Sequence, residues 1–125
     1  MAHSEGFLKI VDEAKAHINE VTPEQTYNKI KLGSNFILVD VREDNEWKEG
    51  YIINAIHIGK GVIERDVESK IEDKNSEIIL YCGGGFRSAL AASTLVQMGY
   101  TNVSSMSEGW RGWNEKEYDI VKKDI

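Results

Sequence analysis

Apolar positions along the chain follow two rhythms. Over residues 7–18, Phe7, Leu8, Ile10, Val11, Ala14 and Ile18 recur at helical spacing with Glu13 and Lys15 between them, which predicts an amphipathic helix. Thr22-Pro23-Glu24-Gln25 opens a second helix: Thr22 suits the N-cap, Pro23 the first helical position, and Gln25 closes a capping box. Gly33 should end it. Phe36-Ile37-Leu38-Val39-Asp40-Val41 and Glu77-Ile78-Ile79-Leu80-Tyr81 are instead continuous apolar runs, as expected of strands buried on both faces. Between them the pattern predicts a short helix over 44–48, a short strand over 55–58, and a helix or pair of turns over 62–71. Residues 87–98 form the clearest helix, closed by Gly99-Tyr100. A last strand is expected over 102–106 and a last helix over 108–118. The mixed charges from Lys116 to Asp124 read as a solvated end.

Strand and helix therefore alternate, the pattern of an α/β sandwich: a mostly parallel central sheet of about five strands with helices on both faces. A length of 125 residues allows one domain. Residues 1–17 read as an N-terminal helical extension, with Met1–Ser4 a tag remnant or frayed end, and residues 18–125 as the domain proper. Fifteen Lys plus Arg against twenty-one Asp plus Glu give a net charge of −6, which argues against a nucleic-acid backbone as partner. No apolar run is long enough to span a bilayer, and the start lacks the apolar core of a secretory signal. The expected setting is cytoplasmic and the expected state a monomer. A single cysteine excludes an internal disulfide and a cysteine-rich metal site.

That cysteine, Cys82, stands where a buried strand ends, and Gly83, Gly84, Gly85, Phe86, Arg87 and Ser88 lead from it into the strongest helix. Ligands in open α/β sheets bind beyond the carboxyl ends of the strands. Backbone N–H groups of a tight glycine loop can form an anion nest, and the helix start adds its unpaired N–H groups. A thiol at the centre of such donors should ionise more readily than usual. The alternative is a small buried hydrophobe beside a flexible turn, the ordinary fate of a free cysteine.

With these residues in view, the sequence resembles the rhodanese (sulfurtransferase) homology domain from about Ile18 to Tyr118. CGGGFRSALAA has the form of that family's active-site loop: a cysteine, four residues, an arginine, then Ser and an alanine-rich helix. Val39-Asp40-Val41-Arg42, followed by Glu46-Trp47 and the stretch from Gly50 to Ile58, matches a second signature. Met98-Gly99-Tyr100, Asn102-Val103 and Glu108-Gly109-Trp110-Arg111-Gly112-Trp113 match a third. The resemblance implies a rhodanese-like three-layer fold and a double displacement. Cys82 thiolate would take the outer sulfur of a small anionic donor such as thiosulfate, becoming a persulfide stabilised by the loop from Gly83 to Ser88. A thiol or cyanide would then remove it, with no metal and no organic cofactor. A protein donor or acceptor fits the same chemistry.

Two departures bear on the substrate. Many family members carry Lys or Arg directly after the cysteine, whereas here Gly83, Gly84 and Gly85 leave Arg87 as the loop's only positive charge, which points to weak thiosulfate use or another donor. Tyr51 and Asn54 replace the usual histidine and glycine of the second signature, which bears on turn geometry. Arg87 has two readings, binding the substrate anion or bracing the loop through Asp40 or Glu46. Asp40 and Arg42 lie at a second strand's carboxyl end on the same rim; Asp40 reads as structural and Arg42 as the better candidate for attracting an anion. His3 and His17 read as surface residues, His57 as a satisfied imidazole, and Trp110 with Trp113 as core or rim packing. Competing functions are a cysteine-dependent phosphatase or arsenate reductase, and a persulfide carrier or regulatory module acting on a protein. The phosphatase chemistry places five residues between cysteine and arginine, one more than here.

Overall fold

A computed structural model describes residues 3–122. Their elements run α1 (Glu5–Lys15), β1 (Asn19–Val21), α2 (Pro23–Lys31), β2 (Ile37–Asp40), α3 (Asp44–Glu49), β3 (Gly50–Ile52), β4 (Ile56–His57), a 3-10 turn (Lys60–Val62), α4 (Ile63–Lys70), β5 (Ile78–Tyr81), α5 (Phe86–Gln97), β6 (Val103–Met106), α6 (Gly109–Glu115) and β7 (Ile120–Lys122). The two continuous apolar runs become neighbouring parallel strands, with Ile37 opposite Ile78 and Asp40 opposite Tyr81. They sit inside a five-stranded parallel sheet of order β1-β6-β5-β2-β4.

Both faces of those strands are apolar because both are covered. Val39, Val41, Ile78, Leu80 and Val103 point to one side, against Ile63 and Val67 of α4 and Ala91, Ala92 and Leu95 of α5. Leu38, Ile79, Tyr81 and Met106 point to the other, against Trp113 of α6, with Tyr27 and Ile30 of α2 half-buried beside them. The two sides are what make an unbroken apolar run in sequence. In the segment read as an extension, α1 packs onto α5 and buries Val11 and Ala14. Ser4 caps α1 through its side chain. Met1 and Ala2, the first two residues of the stretch read as a tag remnant, lie outside the described residues.

Helix ends follow the local chemistry. Thr22 and Gln25 form the capping box of α2. Its far end closes with Ser34 N–H donating to Lys29 O and Gly33 N–H to Ile30 O. Tyr100 and Gly99 close α5 on Leu95 O and Val96 O in the same way, and Gly99 holds φ of +102°. Asn54, where the family pattern has glycine, takes φ of +73°, a left-handed turn that asparagine tolerates better than most residues.

The C-terminal stretch corrects one expectation. Residues read as a solvated end form β7, which pairs antiparallel with β3 from Gly50–Lys122 to Ile52–Ile120. Tyr118 and Ile120 pack among Leu38, Ile52 and Trp113, so two apolar side chains set among charges anchor the segment. Lys123 and Asp124, named in that reading, lie outside the described residues.

Candidate active site

Strand β5 is the middle strand of the parallel sheet, and Cys82 follows it at the carboxyl edge. The chain then has three residues, Gly83 to Gly85, in which to turn back into α5. Gly85, the residue before α5, has φ of +97° and ψ of 0°, a conformation that side chains disfavour and glycine accepts. That turn folds the loop around the sulfur. Gly85 N–H donates to Cys82 Sγ at 3.2 Å and Ser88 N–H at 3.3 Å. Ser88 Oγ lies 3.5 Å from Sγ, accepting from the thiol while it is protonated. Ser88 Oγ in turn lies 2.8 Å from Ser105 Oγ on β6, and both serines are fully buried.

These contacts decide the charge state of a sulfur only 1% exposed. Burial pushes the Cys82 thiol up, but hydrogen bonds from the Ser88 hydroxyl and from the N–H groups of Ser88, Gly84 and Gly85 outweigh it. The net effect holds the thiol below its ordinary value. The start of α5 contributes further, because its N–H groups and dipole favour negative charge there.

Helix α6 packs against this loop from outside. Trp110 N–H donates to Cys82 O at 2.7 Å and Arg111 N–H to Gly83 O at 3.1 Å. The approach is close: a Cβ on Gly109 would overlap Cys82 O and stand 2.9 Å from Gly83 C and O. A pocket of about 340 Å³ opens over the thiol. Arg87 and Arg111 flank it, while His3, Phe7 and Phe86 form an aromatic wall with ring centroids 4.7–6.0 Å apart.

Arg87 answers one of the two readings left open by its sequence position. Its guanidinium forks onto Glu46, Nη1 to Oε1 at 2.8 Å and Nη2 to Oε2 at 3.1 Å. Each partner favours the other's charged form: Arg87 is raised chiefly by the bond to Glu46, and Glu46 lowered chiefly by the bond to Arg87. The geometry is that of a loop brace running from α5 to α3.

Asp40 has the structural place expected of it, and Arg42 departs from its expected one. Arg42 is 3% exposed and forms a buried pair with Asp40, Nη2 to Oδ2 at 2.7 Å and Nε to Oδ1 at 3.0 Å. Its Nη2 also donates to Gly50 O at 2.7 Å, and its guanidinium stacks on Trp110, 4.3 Å from the ring centroid. The expected rim cation is therefore a buried strut whose Nε and Nη2 are committed inside the protein. The reason is local: the strand end turns back on itself, so Asp40 also accepts from Arg42 N–H at 2.9 Å and captures the side chain two residues on.

Other expectations concern side chains away from the sulfur. His57 Nε2–H donates to Arg42 O at 2.8 Å, and the imidazole stacks on Trp47 at 4.9 Å. Trp113 is fully buried between Tyr27 and Tyr118, and its indole N–H donates to Asp119 O. His3 is exposed but belongs to the pocket wall rather than to a detached tail. Among the described residues no group of three or more His, Cys, Asp or Glu side chains could hold a metal ion. No helix among them is long and apolar enough to cross a membrane. Four residues of the site were missed in the sequence: His3 and Phe7 of the pocket wall, Ser105, one of two adjacent serines in a short strand, and Arg111, more than twenty residues beyond the loop.

Comparison with known proteins agrees with this architecture. RPA3614 of Rhodopseudomonas palustris, a protein of unknown function described as "Possible Tyrosine Phosphatase", superposes with a TM-score of 0.84 at 26% identity, covering 96% of this chain and 97% of that one. Thiosulfate sulfurtransferase GlpE of Haemophilus influenzae is 34% identical over 101 residues, which are 81% of this chain and 92% of the relative. YrkF of Bacillus subtilis is 31% identical over 104 residues, 83% of this chain, which spans only 55% of that longer protein. The Rhodanese-like domain profile matches residues 11–116, from within α1 to just past α6. On that match, and on a fold that delivers a loop-cradled cysteine to the carboxyl edge of a parallel sheet, the chain belongs to the rhodanese-like domain family.

Proposed function

We propose that this protein is a sulfurtransferase that moves sulfane sulfur through a persulfide on Cys82. Family membership supports sulfur transfer in general. The observation that carries the finer reading is the convergence of Gly85 N–H, Ser88 N–H and the Ser88 hydroxyl on one buried sulfur at 3.2–3.5 Å. In the first half-reaction the Cys82 thiolate attacks the outer sulfur of a donor such as thiosulfate. The new bond is Sγ–S; the bond from that sulfur to the sulfonate breaks, and its electron pair leaves with sulfite. In the second, a thiolate or cyanide attacks the outer persulfide sulfur, and the electron pair of the Sγ–S bond returns to Cys82. Splitting one transfer into two gives ping-pong kinetics. Cys82 is the chain's sole cysteine, so the acceptor must come from outside. A protein thiol or persulfide can take either role.

A phosphatase reading is favoured by the description of RPA3614 alone. Two observations weigh against it: four residues rather than five separate Cys82 from Arg87, and Arg87 spends its fork on Glu46. The deciding experiment incubates the intact protein with thiosulfate and weighs it. We expect a gain of about 32 Da, one sulfur, on the parent and none on Cys82→Ser. Sulfur transfer by Cys82→Ser at the parental rate would sink the proposal, as would aryl-phosphate hydrolysis unaccompanied by transfer to cyanide.

A further inference from the structure

Positive charge reaches the pocket from two guanidinium groups, and only one is already committed inside the protein. Arg87 is forked onto Glu46. Arg111 is exposed, and among the described residues no carboxylate lies within 4 Å of its side-chain nitrogens. Its backbone is nonetheless fixed to the active-site loop, because its own N–H is the donor to Gly83 O. From there the guanidinium lies across Gly84. A Cβ at Gly84 would overlap Nη2 and stand 3.1 Å from Cζ, and a Cβ at Gly83 would stand 3.9 Å from Nη1. The bare backbone at Gly84 thus leaves room for the guanidinium: a cation from α6 occupies the space that a side chain there would fill.

We propose that Arg111 is the specificity residue that binds the oxyanion end of the sulfur donor, supplying through space the charge that the loop lacks in sequence. This rests on the persulfide reading of Cys82. The donor class is then a sulfane sulfur bonded to a sulfonate or a similar oxyanion. The guanidinium forks onto its oxygens, while the outer sulfur points down to Sγ at the pocket floor. Arg111 holds the same oxygens before and after the S–S bond breaks, so its contribution falls mainly on donor binding.

The experiment compares Arg111→Gln and Arg111→Lys with the parent in two assays. In thiosulfate:cyanide kinetics, Arg111→Gln should raise KM for thiosulfate about 10- to 100-fold, the ordinary worth of a charge-assisted hydrogen bond, with kcat within a few-fold. Arg111→Lys should restore part of that loss, as a point charge without the fork. The second assay alkylates Cys82 with anionic iodoacetate and with neutral iodoacetamide, and takes the ratio of the two rates, in which thiolate fraction cancels. The ratio should fall several-fold in Arg111→Gln. A parental KM together with a parental ratio would overturn the assignment. If the parent never acquires a sulfur but the ratio still falls, the sulfur-transfer reading fails while Arg111 keeps its anion-binding role.

Discussion

Replacing Ser88 with alanine tests the electrostatic account of the nucleophile most directly. The substitution removes one of the groups that touch Cys82 Sγ, the hydroxyl at 3.5 Å, and leaves the backbone donors of Gly85 at 3.2 Å and Ser88 at 3.3 Å. A hydrogen bond to a charged acceptor contributes about 1.5–3 kcal/mol, and the long S···O separation places this one at the lower end. About 1.4 kcal/mol corresponds to one pKa unit. The sign follows from the direction of the native shift. Cys82 is held below its ordinary value by these bonds, so losing one moves the midpoint up by about one unit, and the reactive thiolate becomes available only at higher pH. Well below both midpoints the rate should fall about tenfold, while above both it should match the parent. The assay is the pH dependence of iodoacetamide alkylation, followed by intact mass. Ser105 provides the control. Ser105→Ala leaves the Ser88 hydroxyl on the sulfur and removes only its 2.8 Å neighbour, so its midpoint should shift less. A Ser88→Ala midpoint equal to the parent's, or a larger shift in Ser105→Ala, would refute the reasoning. The deletion also leaves the Ser105 hydroxyl buried without its partner, and a loss of about 1–3 kcal/mol in unfolding free energy should accompany it.

Two further outcomes follow. Arg42→Leu leaves Asp40 fully buried without its guanidinium, so it should cost about 3–5 kcal/mol and lower the melting temperature by about 10 °C or more, while donor KM on the folded enzyme holds; parental melting with a raised KM would restore Arg42 as an anion residue. Gly85→Ala has ordinary van der Waals room, 3.4 Å to Glu108 N, so its cost is backbone strain of about 1–2 kcal/mol at φ of +97°. It should raise the alkylation midpoint by displacing an N–H from the sulfur, and unchanged reactivity with unchanged stability would show that the turn is not what aims that donor.

Legibility in the sequence followed the range of the forces involved. The central strands, the capping box at Thr22 and Gln25, and the ends of α2 and α5 are set within a few residues, and they were readable there. The placement of Cys82 was readable for the same reason, because strand end, glycine turn and helix start are consecutive. β7 was not, since three residues pairing with β3 across seventy positions leave no periodic trace. Arg87 and Arg42 show the boundary most clearly. Each is a cation near a strand or helix terminus, and pattern alone cannot say which carboxylate it will meet. Glu46 captures one and Asp40 the other, so side chains that looked available to a ligand are spent internally. Arg111 is the converse case, unremarkable in the sequence and brought over Gly84 by the docking of α6.

That docking has a consequence for what the loop can become. With Cys82 O and Gly83 O both held by N–H groups at the start of α6, the diameter of the ring around the sulfur is not set by its own six residues alone. It is gauged by a helix from the far end of the chain, which acts as a jig. Inserting one residue to admit a bulkier tetrahedral group would require α6 to retract or to surrender those two bonds. Loop length and helix position must therefore change together, and a single insertion, however well tolerated by the loop itself, should yield a weakened protein before it yields a new activity.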